Sequence, residues 1–201
     1  NTNTTDTQID VNYTASDETA IDKCWWGNET TNTTITCGVN ITDQIWNEGL
    51  NNITLYTNDT ANNVNSSYVQ FRVDTTPPTF SPALSTQTIT ESQSLSYNLG
   101  AIDSGVGLSG FTINDTYSLF SINFVTGVLT NTSSLVGQDA EYHFNVSIND
   151  SLDNKYSEIL LVNVTSIDST PPELKINFPT NNTNSSNSNL HVNYTATDNI
   201  A

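Results

Sequence analysis

Apolar and polar side chains alternate along this chain in short runs, as in Val11-Asn12-Tyr13-Thr14-Ala15, Tyr68 to Val73 and Ile159 to Val164. A period of two sends successive side chains to opposite faces of an extended strand, so each run buries one face and wets the other. No segment holds the 3.6-residue period of an amphipathic helix. Strand candidates separated by turn signals fall at 8–16, 20–27, 33–41, 51–58 and 66–74, then at 79–84, 93–99, 109–114, 118–123, 127–131, 141–149 and 156–167. Many short strands spaced by about 8–12 residues are the pattern of β-sandwiches. With 201 residues there is room for two domains of about 100 residues. The expectation is an all-β fold of two tandem Greek-key β-sandwiches.

Two internal repetitions organise the chain. Residues 1–20 recur as residues 182–201 with ten of twenty positions identical, and the core from Val11 to Asp17 returns nearly unbroken from Val192 to Asp198. Self-similarity of this kind marks a repeat architecture. Asp74-Thr-Thr-Pro-Pro78 and Asp168-Ser-Thr-Pro-Pro172 lie 94 residues apart, each behind an alternating apolar run. Paired prolines cannot join a sheet ladder and they stiffen an extended connection, so both read as domain junctions. The predicted organisation is domain A at 1–76, domain B at 77–170, and the start of another copy of A at 171–201. The chain reads as one period of a longer array. In this frame domain A lacks its first strand, whose counterpart is Glu173-Leu-Lys-Ile-Asn-Phe-Pro179. A neighbouring molecule could donate that strand, although the repeat assigns residues 182–201 to a following copy.

The segments V-N-Y-T-A-S-D (11–17), A-I-D-K-C-W-W (20–26), T-L-Y-T-N-D-T-A-N-N (54–63) and V-D-T-T-P-P (73–78) resemble the immunoglobulin-like modules repeated in bacterial and archaeal surface proteins. Cys-Trp-Trp with T-I-T-C (34–37) is most similar to archaeal versions. In domain B, Phe120-Ser-Ile-Asn-Phe-Val-Thr-Gly-Val-Leu129 and Tyr142-His-Phe-Asn-Val-Ser-Ile-Asn-Asp150 resemble cadherin-like, putative-Ig modules. The resemblance covers nearly the whole chain. It implies an extracellular stalk, an adhesin or a surface-layer component.

Cys24 and Cys37 are the only cysteines. Alternation puts Ile35, Cys37 and Val39 on one face of their strand and Cys24 with Trp26 on one face of theirs. If both faces point inward the sulfurs meet as a disulfide, which suits an oxidising compartment; otherwise they are two buried thiols. Two thiols are too few for zinc. Trp25 points opposite Trp26 and, with Trp46, is a candidate contact for a polysaccharide or another cell.

The charge is −17, from four basic residues against 21 acidic ones. No cationic patch can form for nucleic acid or an anionic membrane surface. No apolar run approaches the ~18 residues of a membrane span, so no direct membrane insertion is expected. With no Met and no signal-peptide pattern, the chain reads as the interior of a secreted protein.

Sixteen Asn-X-Ser/Thr sequons are present where composition predicts about eight: Asn3, Asn12, Asn28, Asn32, Asn40, Asn52, Asn58, Asn65, Asn114, Asn131, Asn145, Asn149, Asn163, Asn181, Asn184 and Asn193. The excess points to N-linked glycans on an extracellular, cell-surface chain.

Hard cations need several oxygens, and in cadherin-like arrays they gather at domain junctions. The resemblance therefore makes Glu91, Asp103, Asp139, Glu141, Asp150 and Asp168 candidate calcium ligands. The alternative is solvated turn carboxylates, with Asp59 and Asp150 capping hairpins. His143 and His191 lie 48 residues apart, and no base adjoins a serine or threonine in a nucleophile motif, so no enzymatic activity and no required cofactor is expected.

The first functional reading is a structural, glycosylated stalk, filament or surface-layer component whose partners are further copies of the repeat, in one chain or in neighbouring chains. The second is an adhesin module. The third is a short subunit that polymerises by strand exchange, with 173–178 completing a neighbour's domain A.

Overall fold

The computed structural model of the chain describes residues 2–28 and 30–198, and every regular element among them is a β-strand. Strands β1 (Thr2–Thr4), β2 (Ile21–Gly27), β3 (Asn32–Ile35), β4 (Gly49–Asp59) and β5 (Val64–Val73) form one sheet in the order β1-β5-β4-β2-β3. The long β4–β5 hairpin pairs from Gly49↔Val73 to Asn58↔Val64. Its turn is closed by Asp59, whose Oδ1 accepts the amides of Ala61 and Asn63 at 2.8 Å each. Alternation holds on β2: Cys24 and Trp26 are buried, and Trp25 faces the other way. Cys24 and Cys37 form a disulfide with their Cα atoms 5.2 Å apart. The sheet contributes Trp26, Ile53, Phe71 and Val73 to a core that Val11, Ile41 and Trp46 close from the other side.

That closing layer corrects two expectations. The segment 8–16 has no ladder; Val11 makes a single bridge to Ile41. The strand expected over 33–41 stops at Ile35, because the chain turns at Cys37-Gly38 with Gly38 at φ 79°. A left-handed residue ends the alternation, so Val39, expected inside, is exposed.

The next strands are β6 (Thr79–Phe80), β7 (Gln87–Thr90), β8 (Ser96–Asn98), β9 (Ala101–Ile102), β10 (Leu108–Asn114), β11 (Phe120–Ile122), β12 (Val128–Asn131), β13 (Ala140–Asp150) and β14 (Lys155–Thr165). They form a four-stranded sheet β10-β13-β14-β7, a three-stranded sheet β11-β12-β8 and the β6-β9 pair. Phe144, Val146 and Ile148 on β13 and Leu160, Val162 and Val164 on β14 share one core with Phe120, Leu129, Leu95 and Leu99. Two layers therefore bury one set of alternating apolar side chains, which is a β-sandwich. The strand expected over 79–84 is cut to β6 by Pro82, which has no N–H for a ladder. Strand β7 went unpredicted because Gln-Thr-Ile-Thr carries little apolar alternation; it pairs in parallel with β14.

Beyond the second proline pair, β15 (Glu173–Phe178) and β16 (Asn193–Thr197) form an antiparallel pair with no other strand partner among the described residues. No helix among the described residues is long and apolar enough to cross a membrane.

Candidate metal centre

Where β5 leaves its sheet, Asp74 is fully buried. Its amide donates to the Thr4 carbonyl at 2.9 Å, which fixes the exit of the strand. Its carboxylate turns toward the second group of strands: Oδ2 accepts the Val106 amide at 2.7 Å and Oδ1 accepts the Thr76 amide at 3.2 Å. Val106 belongs to the β9–β10 loop, Asp103-Ser-Gly-Val-Gly, which wraps around Asp103. Oδ2 of Asp103 accepts the amides of Gly105 and Gly107 at 3.1 and 2.7 Å. The third carboxylate, Asp150, ends β13 and is fully buried. Its Oδ1 accepts the amides of Leu152 and Asn154, and its Oδ2 accepts Nδ2 of Asn154 at 2.7 Å. The same Nδ2 donates to the Asp74 backbone carbonyl at 2.9 Å, so one carboxamide ties hairpin to junction.

One carboxylate oxygen from each of Asp74, Asp103 and Asp150 lies within 4.8 Å of the other two. Two are fully buried, and no lysine, arginine or histidine is among their partners in the described residues. Burial pushes the carboxyl of Asp74 above its ordinary range; amide bonds from Val106 and Thr76 partly offset this, while the charge of Asp103 adds to it. Glu48 stands beside this group. Burial opposes its ionisation, but hydrogen bonds from Thr75, Asp74 and Thr76 outweigh that and hold its carboxyl below the usual range. Oδ1 of Asp103 is buried and has no hydrogen-bond partner among the described residues. A buried acceptor without a donor costs about 1–3 kcal/mol, and clustered carboxylates out of water cost more unless a cation or protons neutralise them. The set consists of hard oxygen donors only, with one acceptor left open, which fits calcium and does not fit softer metals.

Of the residues singled out in the sequence, Asp103 and Asp150 come together here. The other four do not. Glu91 caps the opposite end of its sandwich, accepting the amides of Gly137 at 2.6 Å and Ile167 at 3.3 Å. Asp139 is exposed, Glu141 faces His143 at 3.8 Å, and Asp168 accepts the Thr170 amide in its own linker. Sequence reading missed Asp74 and its neighbour Glu48. The signal for Asp74 was present, since it opens the Asp-x-Thr-Pro-Pro motif that was read only for its prolines.

Trp46 is corrected as a surface contact. It is buried edge-on against Trp26 and Phe71, and its Nε1 donates to the Ile9 carbonyl at 2.8 Å. Trp25 stacks on Tyr56 across the β2–β4 pair, with centroids 5.4 Å apart. None of the sixteen sequon asparagines is buried; Asn52, Asn58, Asn131, Asn149 and Asn163 are half-buried and the other eleven exposed.

No protein-family model matches this chain, and no curated protein does. Among solved structures it is similar to the extracellular cadherin domains 1–5 of protocadherin gamma B2, with TM-score 0.49, 14% identity, and coverage of 88% of this chain and 40% of that one. It is similar to protocadherin gamma B7 domains 1–4 at TM-score 0.47 and 15% identity, covering 86% and 42% of the two chains. For Drosophila N-cadherin domains EC1–4 the values are 0.44, 15%, 73% and 41%. The chain thus spans about two fifths of the length of these structures.

Proposed function

We propose that the chain is a structural segment of an extracellular, glycosylated stalk or filament built from tandem β-sandwich units, with a calcium ion locking the junction between domain A (1–76) and domain B (77–170). The observation that carries this is the buried cluster of Asp74, Asp103 and Asp150, drawn from both sides of the first proline pair and left with the unpartnered Oδ1 of Asp103. Asp74 would bring the linker to the ion, and Asp103 and Asp150 would bring the β9–β10 loop and the β13–β14 hairpin. Bound calcium supplies positive charge that removes the mutual repulsion of the carboxylates. Asn154 holds Asp150 and the Asp74 backbone carbonyl through its carboxamide. The sequon excess supports a glycan coat, which would shield the sheet edges from pairing with other proteins. The disulfide supports an oxidising location.

The test is calorimetric titration of the whole chain with calcium. One ion should bind per chain, and Asp74→Asn or Asp103→Asn should weaken it by a hundredfold or more, while Glu91→Gln and Asp168→Asn leave it unchanged. Wild-type protein that gives no calcium-dependent heat, or variants at Asp74 and Asp103 that bind as wild type, would remove the proposal.

A further inference from the structure

The first sheet sends Trp26, Ile53 and Phe71 into its core, and the strand register shows what stands on its outer face. Residues directly opposite in an antiparallel pair project from the same face. One outward row across the sheet is Thr34, Trp25, Tyr56 and Ser66, and the next is Asn32, Gly27, Thr54 and Tyr68. Trp25 and Tyr56 stack with their rings 7° from parallel and 5.4 Å between centroids. Both are half-buried. On the β3 side the residue opposite Trp25 is Thr34, which is small and exposed. Tyr56 therefore covers part of the indole, and no second ring stacks on Trp25 among the described residues.

Asn32 leans toward this pair. It stands diagonal to Trp25, an arrangement in which neighbours are about 7–8 Å apart and only long side chains meet. Gly27, directly opposite Asn32, leaves a gap that the carboxamide uses: a Cβ built on Gly27 would fall on Oδ1 of Asn32 and lie 3.5 Å from its Cγ. The carboxamide thus reaches from the edge strand β3 across β2, and Gly27 is buried although it lies on the outward row. Asn32 itself is exposed. Two other sequon asparagines share this face, but their carboxamides are held elsewhere. Nδ2 of Asn58 donates to Asp22 at 3.2 Å, and Oδ1 of Asn52 accepts from Tyr68 and Gln70.

Asn32-Thr33-Thr34 is a sequon, and the two-residue period puts its asparagine and its second threonine on the face that carries Trp25. A sugar joined to Asn32 lengthens a side chain already directed at the aromatic pair. One face of a pyranose ring presents C–H bonds, whose hydrogens are weakly positive, and the face of an aromatic ring is negative. The sugar hydroxyls at the rim stay in water while the C–H face covers the rings.

We propose that the first sugar of an N-linked glycan on Asn32 packs on the Trp25–Tyr56 pair and serves as an outer layer of the first sheet. The inference rests on the reading of the chain as glycosylated and gives one glycan a structural contact. It takes out of water aromatic surface that the polypeptide leaves half-exposed, which favours the folded state.

The test uses the whole chain secreted from cells that attach N-linked glycans, with occupancy of Asn32 read by glycopeptide mass spectrometry. Trp26 and Trp46 are 6% and 5% exposed, so acrylamide quenching of tryptophan fluorescence reports on Trp25. Quenching should be weak in the glycosylated chain. It should rise in Asn32→Gln and after complete enzymatic deglycosylation, while Asn58→Gln leaves it unchanged. Ring currents give a direct signature: in NMR spectra, ring protons of the Asn32-linked sugar should lie upfield of their position in Trp25→Leu, a variant outside the core. An occupied Asn32 whose sugar protons are not displaced, or a Trp25 quenched equally with and without the sugar, would overturn the inference alone and leave the pair open to a polysaccharide or another protein. Sequons found empty throughout would overturn the glycosylated reading as well, and calcium titration reports the junction separately.

Discussion

Asp59 and Asp150 hold their hairpins by the same clamp. Each accepts two amides through Oδ1 and the carboxamide of the asparagine four residues on through Oδ2, at 2.7 Å in both cases. For Asp59 the Asn63 side chain, then the Asn63 amide, hold the carboxyl below its ordinary range, against burial and the nearby charge of Asp17. The folded state therefore prefers the charged form. Its contribution to stability is present above the unfolded pKa and is lost as pH falls through the folded one. Asp59→Asn should lower stability at neutral pH and change it less in acid, which flattens the acid limb of a urea-denaturation series; an unchanged acid limb would refute the assignment. Asparagine clamps bear on glycosylation too. Nδ2 of Asn58, Asn131 and Asn149 donates to Asp22, Ser133 and Asp153, and attaching a sugar there replaces one of the nitrogen's two hydrogens and crowds those bonds. Glycopeptide mass spectrometry should find these three sequons less occupied than exposed Asn12, Asn32, Asn65 and Asn145. Equal occupancy would show that modification precedes folding.

Strands and loops set the junction. A Cβ built on Gly105 would fall on the Asp74 carboxylate, so the β9–β10 loop reaches the linker only because glycine stands there. Gly105→Ala should weaken calcium binding as far as Asp74→Asn does, read by the same titration; tight binding by the alanine variant would place the ion elsewhere. On the first sheet, the disulfide closes a loop of 13 residues between β2 and the turn after β3. Replacing both cysteines by serine should cost about 3 kcal/mol, measured by chemical denaturation. The faces of these strands were legible from alternation, as with Cys24 and Trp26 inside and Trp25 outside. Segment 12–16 shows where that signal stops: its side chains alternate as a strand's do, but a ladder also needs a backbone neighbour, and periodicity does not report one. The carboxylate cluster was half legible for a related reason. Asp103 and Asp150 stand at turns that acidic residues favour, whereas Asp74 lies 29 and 76 residues away from them and meets them only through the fold.

At the scale of the molecule, the two cores are separate clusters, one around Trp26 and Trp46 and the other around Phe144 and Leu129. The named links between them are polar: the Val106 amide and the Asn154 carboxamide on Asp74, beside the three carboxylates that would share the proposed ion. Coupling across the junction should therefore depend on calcium. All three tryptophans lie before residue 50, so tryptophan fluorescence follows unfolding of the first core alone, and far-UV circular dichroism follows both. In chelator the two signals should give separate transitions. Extracellular calcium sites have dissociation constants of about 10⁻⁴–10⁻³ M. With free calcium 10- to 100-fold above that constant, ligand linkage adds roughly 1.4–2.7 kcal/mol to the state that holds the ion. Because the site needs both domains folded, that stabilisation falls on whichever core unfolds first, and the transitions should draw together. Small-angle scattering should show the matching change in stiffness, with a narrower range of end-to-end distances in calcium than in chelator. Two transitions that stay apart at saturating calcium would mean the ion binds one domain only, and the junction would then owe its stiffness to Pro77 and Pro78.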